Sequence, residues 1–135
     1  MGAANVIVDA SALLAIIFDE PDGERMENML IESQQRPVMS PVNFLEATVR
    51  VDQMKSEAKS RKLDELFKAL AIEITTVTPE QAYLAREAYQ KFGKGNHIAK
   101  LNLGDCFAYA LAKARNEPLL FKGDDFRNTD IEAAI

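Results

Sequence analysis

The run Val6-Ile7-Val8 is apolar at every position and ends on an acid, Asp9. A strand that faces water on one side alternates apolar and polar residues. A contiguous apolar run requires cover on both faces, as in a parallel sheet between helical layers. The rest of the chain supplies those layers, with strand and helix signals in alternation. A strand is expected over residues 5–9, with Ser11 capping a short helix through Phe18. Asp19-Glu20-Pro21-Asp22-Gly23 reads as a turn, and a helix follows from Glu24 to Gln34, with Met26, Met29, Leu30 and Ser33 on one face. Val38-Met39 is a short strand candidate. Ser40-Pro41 then gives an N-cap followed by proline at the first helical position, which starts a helix to about Lys55.

An amphipathic helix is expected from Lys59 to Leu70, a strand over Ile72-Glu73-Ile74, and a helix from Thr78-Pro79 to just before Gly93. After the loop Gly93-Lys94-Gly95-Asn96-His97, Asn102 caps a helix through Arg115. Its apolar stripe is read as Leu103, Phe107, Ala110, Leu111 and Ala114. Pro118-Leu119-Leu120-Phe121 is a strand, Gly123 to Phe126 a turn, and Ile131–Ile135 a last strand candidate. The expected fold class is α/β: three layers, α/β/α, around a mostly parallel sheet of about five strands. The chain, 135 residues, fits one domain spanning 1–135.

Four acids sit beside these boundaries: Asp9, Glu46, Asp105 and Asp125. Ligands of open parallel sheets bind outside the carboxyl ends of the strands, where Asp9 and Asp125 fall. Asp105 lies in the first turn of its helix and Glu46 in the second turn of its own. Each has an ordinary explanation taken alone: Asp9 as a turn residue, Asp105 as a complement to the helix dipole, Glu46 as a solvated side chain. Four acids that one parallel sheet gathers at one end are not explained by independent accidents. Carboxylates next to apolar residues need a cation, and a hard divalent metal is the natural one.

Composition restricts the alternatives. A net charge of −5, from 21 acids and 16 bases, argues against nonspecific nucleic-acid binding, although acids that hold a metal bring phosphate oxygens in rather than repel them. One cysteine, Cys106, excludes an internal disulfide and suits a reducing cytosol. With one histidine besides, a zinc site lacks its soft ligands. No apolar run reaches the length of a membrane helix. Cys106 reads as a small core residue and His97 as an exposed loop histidine. Lys91, Lys94, Lys100 and Lys122 are candidates for a basic rim, with a solvated face as the plainer reading. Gly93-Lys94-Gly95 lacks the ending of a phosphate loop.

The chain resembles PIN-domain ribonucleases, and more closely the VapC-type toxins of bacterial toxin–antitoxin modules. The resemblance rests on Val8-Asp9-Ala10-Ser11-Ala12-Leu13, on Pro41 to Ala47, on Leu103 to Ala112, and on Leu120 to Asp130. It spans nearly the whole chain, with little signal in residues 50–100. It implies a metal-dependent endoribonuclease whose acidic quartet is Asp9, Glu46, Asp105 and Asp125. Asp9, Asp105 and Asp125 would be metal ligands for Mg²⁺ (or Mn²⁺), with hydrolysis by metal-activated water. Ser11 becomes a polar helper, Asp124 an adjacent acid, and Thr129 and Asp130 structural hydrogen-bonding groups. The resemblance further implies an RNA substrate, a cognate antitoxin protein, a homodimer with higher toxin–antitoxin assembly, and a cytoplasmic location without membrane contact. Two other classes compete. A receiver-like signalling module would want paired acids after its first strand and a lysine after its last. A flap-type DNA nuclease would need a helical arch for which the chain is short.

Overall fold

The protein is described here by a computed structural model covering residues 4–135. Strands β1 (Asn5–Val8), β2 (Arg36–Met39), β3 (Glu73–Ile74) and β4 (Leu119–Leu120) form one parallel sheet in the order β3-β2-β1-β4. Ile7 lies opposite both Val38 and Leu119, so β1 is the central strand and is paired on both sides. Its Val6, Ile7 and Val8 are completely buried, as the contiguous apolar run requires. Pro37 is tolerated in β2 because β3 begins pairing only at Val38↔Glu73. The proline's missing N–H therefore leaves no ladder bond unmade.

Helices α1 (Ala10–Ile17), α2 (Gly23–Glu32), α3 (Pro41–Asp52) and α4 (Glu57–Leu70) contribute to the core on one face. There Leu13, Ile17, Met26, Leu30, Ala47, Val51 and Leu63 pack on Val6, Val8, Met39 and Leu120. Helices α5 (Pro79–Phe92) and α6 (Leu103–Arg115) cover the other face, where Ala85, Ala88, Cys106, Tyr109 and Leu111 pack on Ile7, Val38 and Leu119. This is the expected three-layer α/β/α arrangement. The tail contributes a single bridge, Leu119↔Ala133, in place of a fifth strand. Asp130 anchors it, accepting hydrogen bonds from Tyr109 Oη at 2.6 Å and Lys113 Nζ at 2.7 Å. Thr129 donates to the Phe126 carbonyl and accepts from Ile131 N–H.

Several local expectations change. Asp9, rather than Ser11, is the N-cap of α1: its Oδ2 accepts the Ser11 N–H at 3.0 Å. The stripe on α6 is shifted, with Leu103 and Ala114 exposed and Cys106, Ala108, Tyr109 and Ala112 buried. The helix is gripped by the sheet, by α5 and by α3, so its buried surface is broader than one stripe. His97 is half-buried rather than exposed. Its Nδ1 accepts the Ala99 N–H at 2.9 Å and its ring meets Phe92 edge-on. Lys122 pairs with Glu20, which removes it from a free basic rim. None of the helices is long and apolar enough to cross a membrane among the described residues.

Candidate active site

The strand order fixes where a ligand goes. From β1 the chain builds outward through β2 to β3 and then returns to place β4 on the other side of β1. The order reverses between β1 and β4, and the crevice outside their carboxyl ends is where open α/β sheets take ligands. Asp9 follows β1 directly. Asp125 follows β4 in a short 3-10 helix, Asp125–Asn128, reached through a turn at Gly123. Gly123 has φ +98°, a conformation that side chains with a Cβ rarely adopt. Ser11 Oγ accepts the backbone N–H of Lys122 at 3.0 Å and so ties this turn to the start of α1.

The helices bring the other two acids. Ser40 caps α3 by accepting the Val42 N–H, with Pro41 in the first turn, and Glu46 follows on the second turn. Asn102 and Asp105 form a reciprocal capping box at the start of α6: Asn102 Oδ1 accepts the Asp105 N–H at 2.9 Å, and Asp105 Oδ2 accepts the Asn102 N–H at 3.1 Å. Asp105 therefore both caps its helix and keeps its second carboxylate oxygen outside the box.

The four acids feel one another. Asp9 is 3% exposed. Its pKa is raised to about 7, first by burial and then by the charges of Asp105 and Glu46, against the lowering effect of the hydrogen bonds from Ser11. The pKa of Asp105 is raised to about 6, again by burial first, with Glu46 and Asp125 adding repulsion. Asp125 itself is exposed, so it closes the rim while Asp9 forms the floor. Asp124 is exposed beside it and serves the turn through its backbone, whose carbonyl accepts from Asn128 and from the Arg127 N–H. The Cys106 thiol is buried, and burial with the Asp105 charge holds its pKa up to about 11, which makes it a packing residue rather than a nucleophile.

One atom marks this cluster as unfinished. Asp9 Oδ1 is buried and has no hydrogen-bond partner, while Oδ2 is occupied by Ser11. A buried carboxylate oxygen ordinarily has a partner. The donors around it are all oxygens, the set that hard divalent cations take. Among the described residues no three His, Cys, Asp or Glu side chains form a ready-made metal cage. Mg²⁺ does not need such a cage, because it binds through one or two carboxylates and keeps several waters. The residues fit such an ion.

Sequence reasoning passed over two neighbours of this site, Asn43 and Gly104. Asn43 is fully buried, and its Nδ2 donates to Glu46 Oε1 at 3.3 Å and to the Gly104 carbonyl at 2.9 Å. The only sequence signal was their place in the quoted segments. Asn43 stands three residues before Glu46, and so on the same helix face. Gly104 stands directly before Asp105 in a helix, where glycine is otherwise unfavourable.

Comparison with known proteins agrees with this fold. The PIN-domain profile matches residues 6–132. Ribonuclease VapC30 of Mycobacterium tuberculosis is 44% identical over 126 residues, covering 93% of this chain and 95% of that protein. Ribonuclease VapC of Mycolicibacterium smegmatis is 43% identical over 128 residues, covering 95% and 98%. Among solved structures, the crystal structure of M. tuberculosis VapC20, a Sarcin-Ricin loop cleaving toxin, superposes with a TM-score of 0.75 over 94% of this chain and 96% of that one. At 11% identity this likeness speaks for the fold. VapBC2 from Rickettsia felis, bound to a DNA fragment from its promoter, gives a TM-score of 0.71 at 15% identity, covering 95% and 96%. The strand order also departs from the 2-1-3-4-5 order of receiver-like folds. The chain belongs to the PIN-domain family, among the VapC ribonucleases.

Proposed function

We propose that the protein is a Mg²⁺-dependent endoribonuclease, with Mn²⁺ as an alternative ion, and that it acts as the toxin of a toxin–antitoxin module in the cytoplasm. The observation that carries the reading is Asp9: a buried acid at the strand-order reversal, with one oxygen unpartnered and two further acids raising its pKa. Nearly full-length similarity to proteins named VapC ribonucleases supports the choice of RNA over DNA. Among the described residues the segment between β2 and β3 holds only α3 and α4, which pack on each other and on α1, and forms no helical arch.

Asp9 and Asp105 would hold the cation directly, and Asp125 would hold it through bound water. When bound, the ion supplies Lewis-acid charge at the scissile phosphate and lowers the pKa of the attacking water. The chain's own residues do the rest. Asp9 Oδ1 offers an acceptor whose direction is fixed, because Oδ2 is held by Ser11 N–H. Asp105 holds the front of α6 through its capping box while its carboxylate feels the charges of Glu46 and Asp125. Glu46 lies beside both and accepts a proton from the attacking water. Burial of Asp9 excludes solvent from the floor and strengthens each of these interactions.

Two partners complete the reading. A cognate antitoxin holds the enzyme inactive; the toxin–antitoxin complexes among proteins of this fold support it. A homodimer, and larger toxin–antitoxin assemblies built from it, is supported by an apolar face beside Glu46 made of Val42, Leu45, Val49 and Leu103. Leu45 and Leu103 there are 60% and 75% exposed. The test is incubation of the purified, antitoxin-free protein with total RNA in Mg²⁺, Mn²⁺ or EDTA, with mapping of the cut ends. Internal cuts at defined positions with either metal, and none in EDTA, are expected. Full cleavage in chelator would overturn the metal reading, and cleavage of DNA in preference to RNA would overturn the substrate class.

A further inference from the structure

Two residues outside the acidic quartet lie against the Glu46 carboxylate. Asn43 sits one turn before Glu46 on α3, with a side chain fully removed from water. Its amide faces two acceptors, Glu46 Oε1 and the Gly104 carbonyl. Only the NH₂ end can face two acceptors, so the amide orientation is dictated by chemistry. The other end, Oδ1, is left buried without a partner. An apolar residue of the same size would fill this position without an orphaned oxygen. The amide is therefore poorly explained as packing and well explained by the two groups that it holds.

Gly104 acts from the other side. A Cβ built on it would lie 2.6 Å from Glu46 Oε1 and 2.8 Å from Oε2. The Glu46 carboxylate thus occupies the space that any other residue would fill with its side chain. The backbone at Gly104 is ordinary helix, so glycine is not required there for its conformation. What would move on adding a methyl group is the flexible end of Glu46.

We propose that Asn43 and Gly104 are positioning residues that clamp the Glu46 carboxylate in the acidic site, the amide by a hydrogen bond from its own helix and the glycine by leaving a seat on the facing helix. The inference rests on the hydrolytic reading of the site, in which Glu46 receives the proton. Alanine at position 104 separates this role from a structural one. It removes no charged group and no hydrogen-bonding group, and alanine is favoured over glycine in a helix. It displaces only the carboxylate.

The experiment compares the parent with Gly104→Ala, Asn43→Ala, Glu46→Gln and the double variant G104A/E46Q. Readouts are kcat and KM on RNA with Mg²⁺, the melting temperature, and the carbon-13 resonance of the Glu46 carboxyl in the metal-free protein. Gly104→Ala is expected to lower kcat about a hundredfold, the scale of an ångström's misplacement. KM should stay within a few-fold, the melting temperature should hold or rise, and the Glu46 resonance should move. In the Glu46→Gln background the same change should cost little more. Asn43→Ala should lower kcat and move the same resonance; should it fail to fold, Gly104→Ala decides. Parent-like kcat in Gly104→Ala, an unmoved resonance, or an equal loss of kcat in the Glu46→Gln background would each overturn the clamp. A parent that does not cleave RNA would remove the hydrolytic reading, and the resonance would then decide the clamp alone.

Discussion

Ser11 and Lys122 stand 111 residues apart in the chain, and the Ser11 Oγ accepts the Lys122 backbone N–H at 3.0 Å. This bond joins the first turn of α1, which Asp9 caps, to the turn that carries Asp124 and Asp125. Ser11 thereby holds the turn that carries Asp125. Ser11→Ala is expected to cost about 1 kcal/mol of stability, the net worth of one such bond. It should also reduce cleavage severalfold by loosening Asp125, while Ser11→Thr keeps the acceptor and most of the activity. Denaturant unfolding and initial cleavage rates on the three proteins check this. Equal activity in Ser11→Ala would show that the turn is held by other contacts.

The raised pKa of Asp9 has a consequence for stability without metal. A carboxyl with a folded value of about 7, against an ordinary 3.8, binds its proton more tightly in the folded chain than in the unfolded one. Stability therefore falls as pH rises from about 3.8 to about 7, and the full cost remains above. Asp105 adds a smaller loss, complete near pH 6. The total is on the order of a few kcal/mol. The metal-free parent should melt at a higher temperature at pH 5 than at pH 8. Asp9→Asn should flatten this dependence and match or exceed the parent at pH 8. A parent with no loss of stability between pH 5 and pH 8 would contradict the repulsion inferred at the site.

Removing one acid should also separate metal binding from folding. Asp105→Asn is expected to abolish cleavage by orders of magnitude while the fold is retained, because an amide oxygen can still accept the Asn102 N–H of the capping box. Mg²⁺ should raise the melting temperature of the parent by mass action, and that of the variant less. Thermal unfolding of both proteins with and without Mg²⁺ measures the difference. An equal gain in the two would show that Asp105 caps its helix and does not hold the ion.

His97 is expected to matter for the loop and little for the chemistry. Its Nδ1 is engaged with Ala99 N–H and its ring with Phe92, so neither contact points to a proton transfer. His97→Ala should lower stability by about 1 kcal/mol and leave kcat within a few-fold. A large loss of kcat with normal RNA binding would favour imidazole acid–base catalysis instead.

The sequence alone determined the layers and the ends of the elements. Val6-Ile7-Val8 could be buried only between two helical faces, Ser40-Pro41 and Thr78-Pro79 could hardly do other than start helices, and Asn102 announced a cap. These are local facts of backbone chemistry and apolar contiguity, legible one segment at a time. The four acids were legible as boundary residues for the same reason. That a parallel sheet would gather them at one end was legible too; the route by which they meet was not. It depends on β4 returning to the far side of β1, a choice of strand order made by the packing of whole helices. Which residue caps α1 was also decided by the fold. Asp9 and Ser11 are both good caps, and Ser11 was drawn instead to a backbone N–H that only the tertiary structure brings near. The broad burial of α6 followed from its three-sided contact, which a single-stripe periodicity cannot express. Asn43 and Gly104 remained silent in sequence because each matters through the other's helix: an amide and a missing methyl group acquire a role only when α3 and α6 are set side by side.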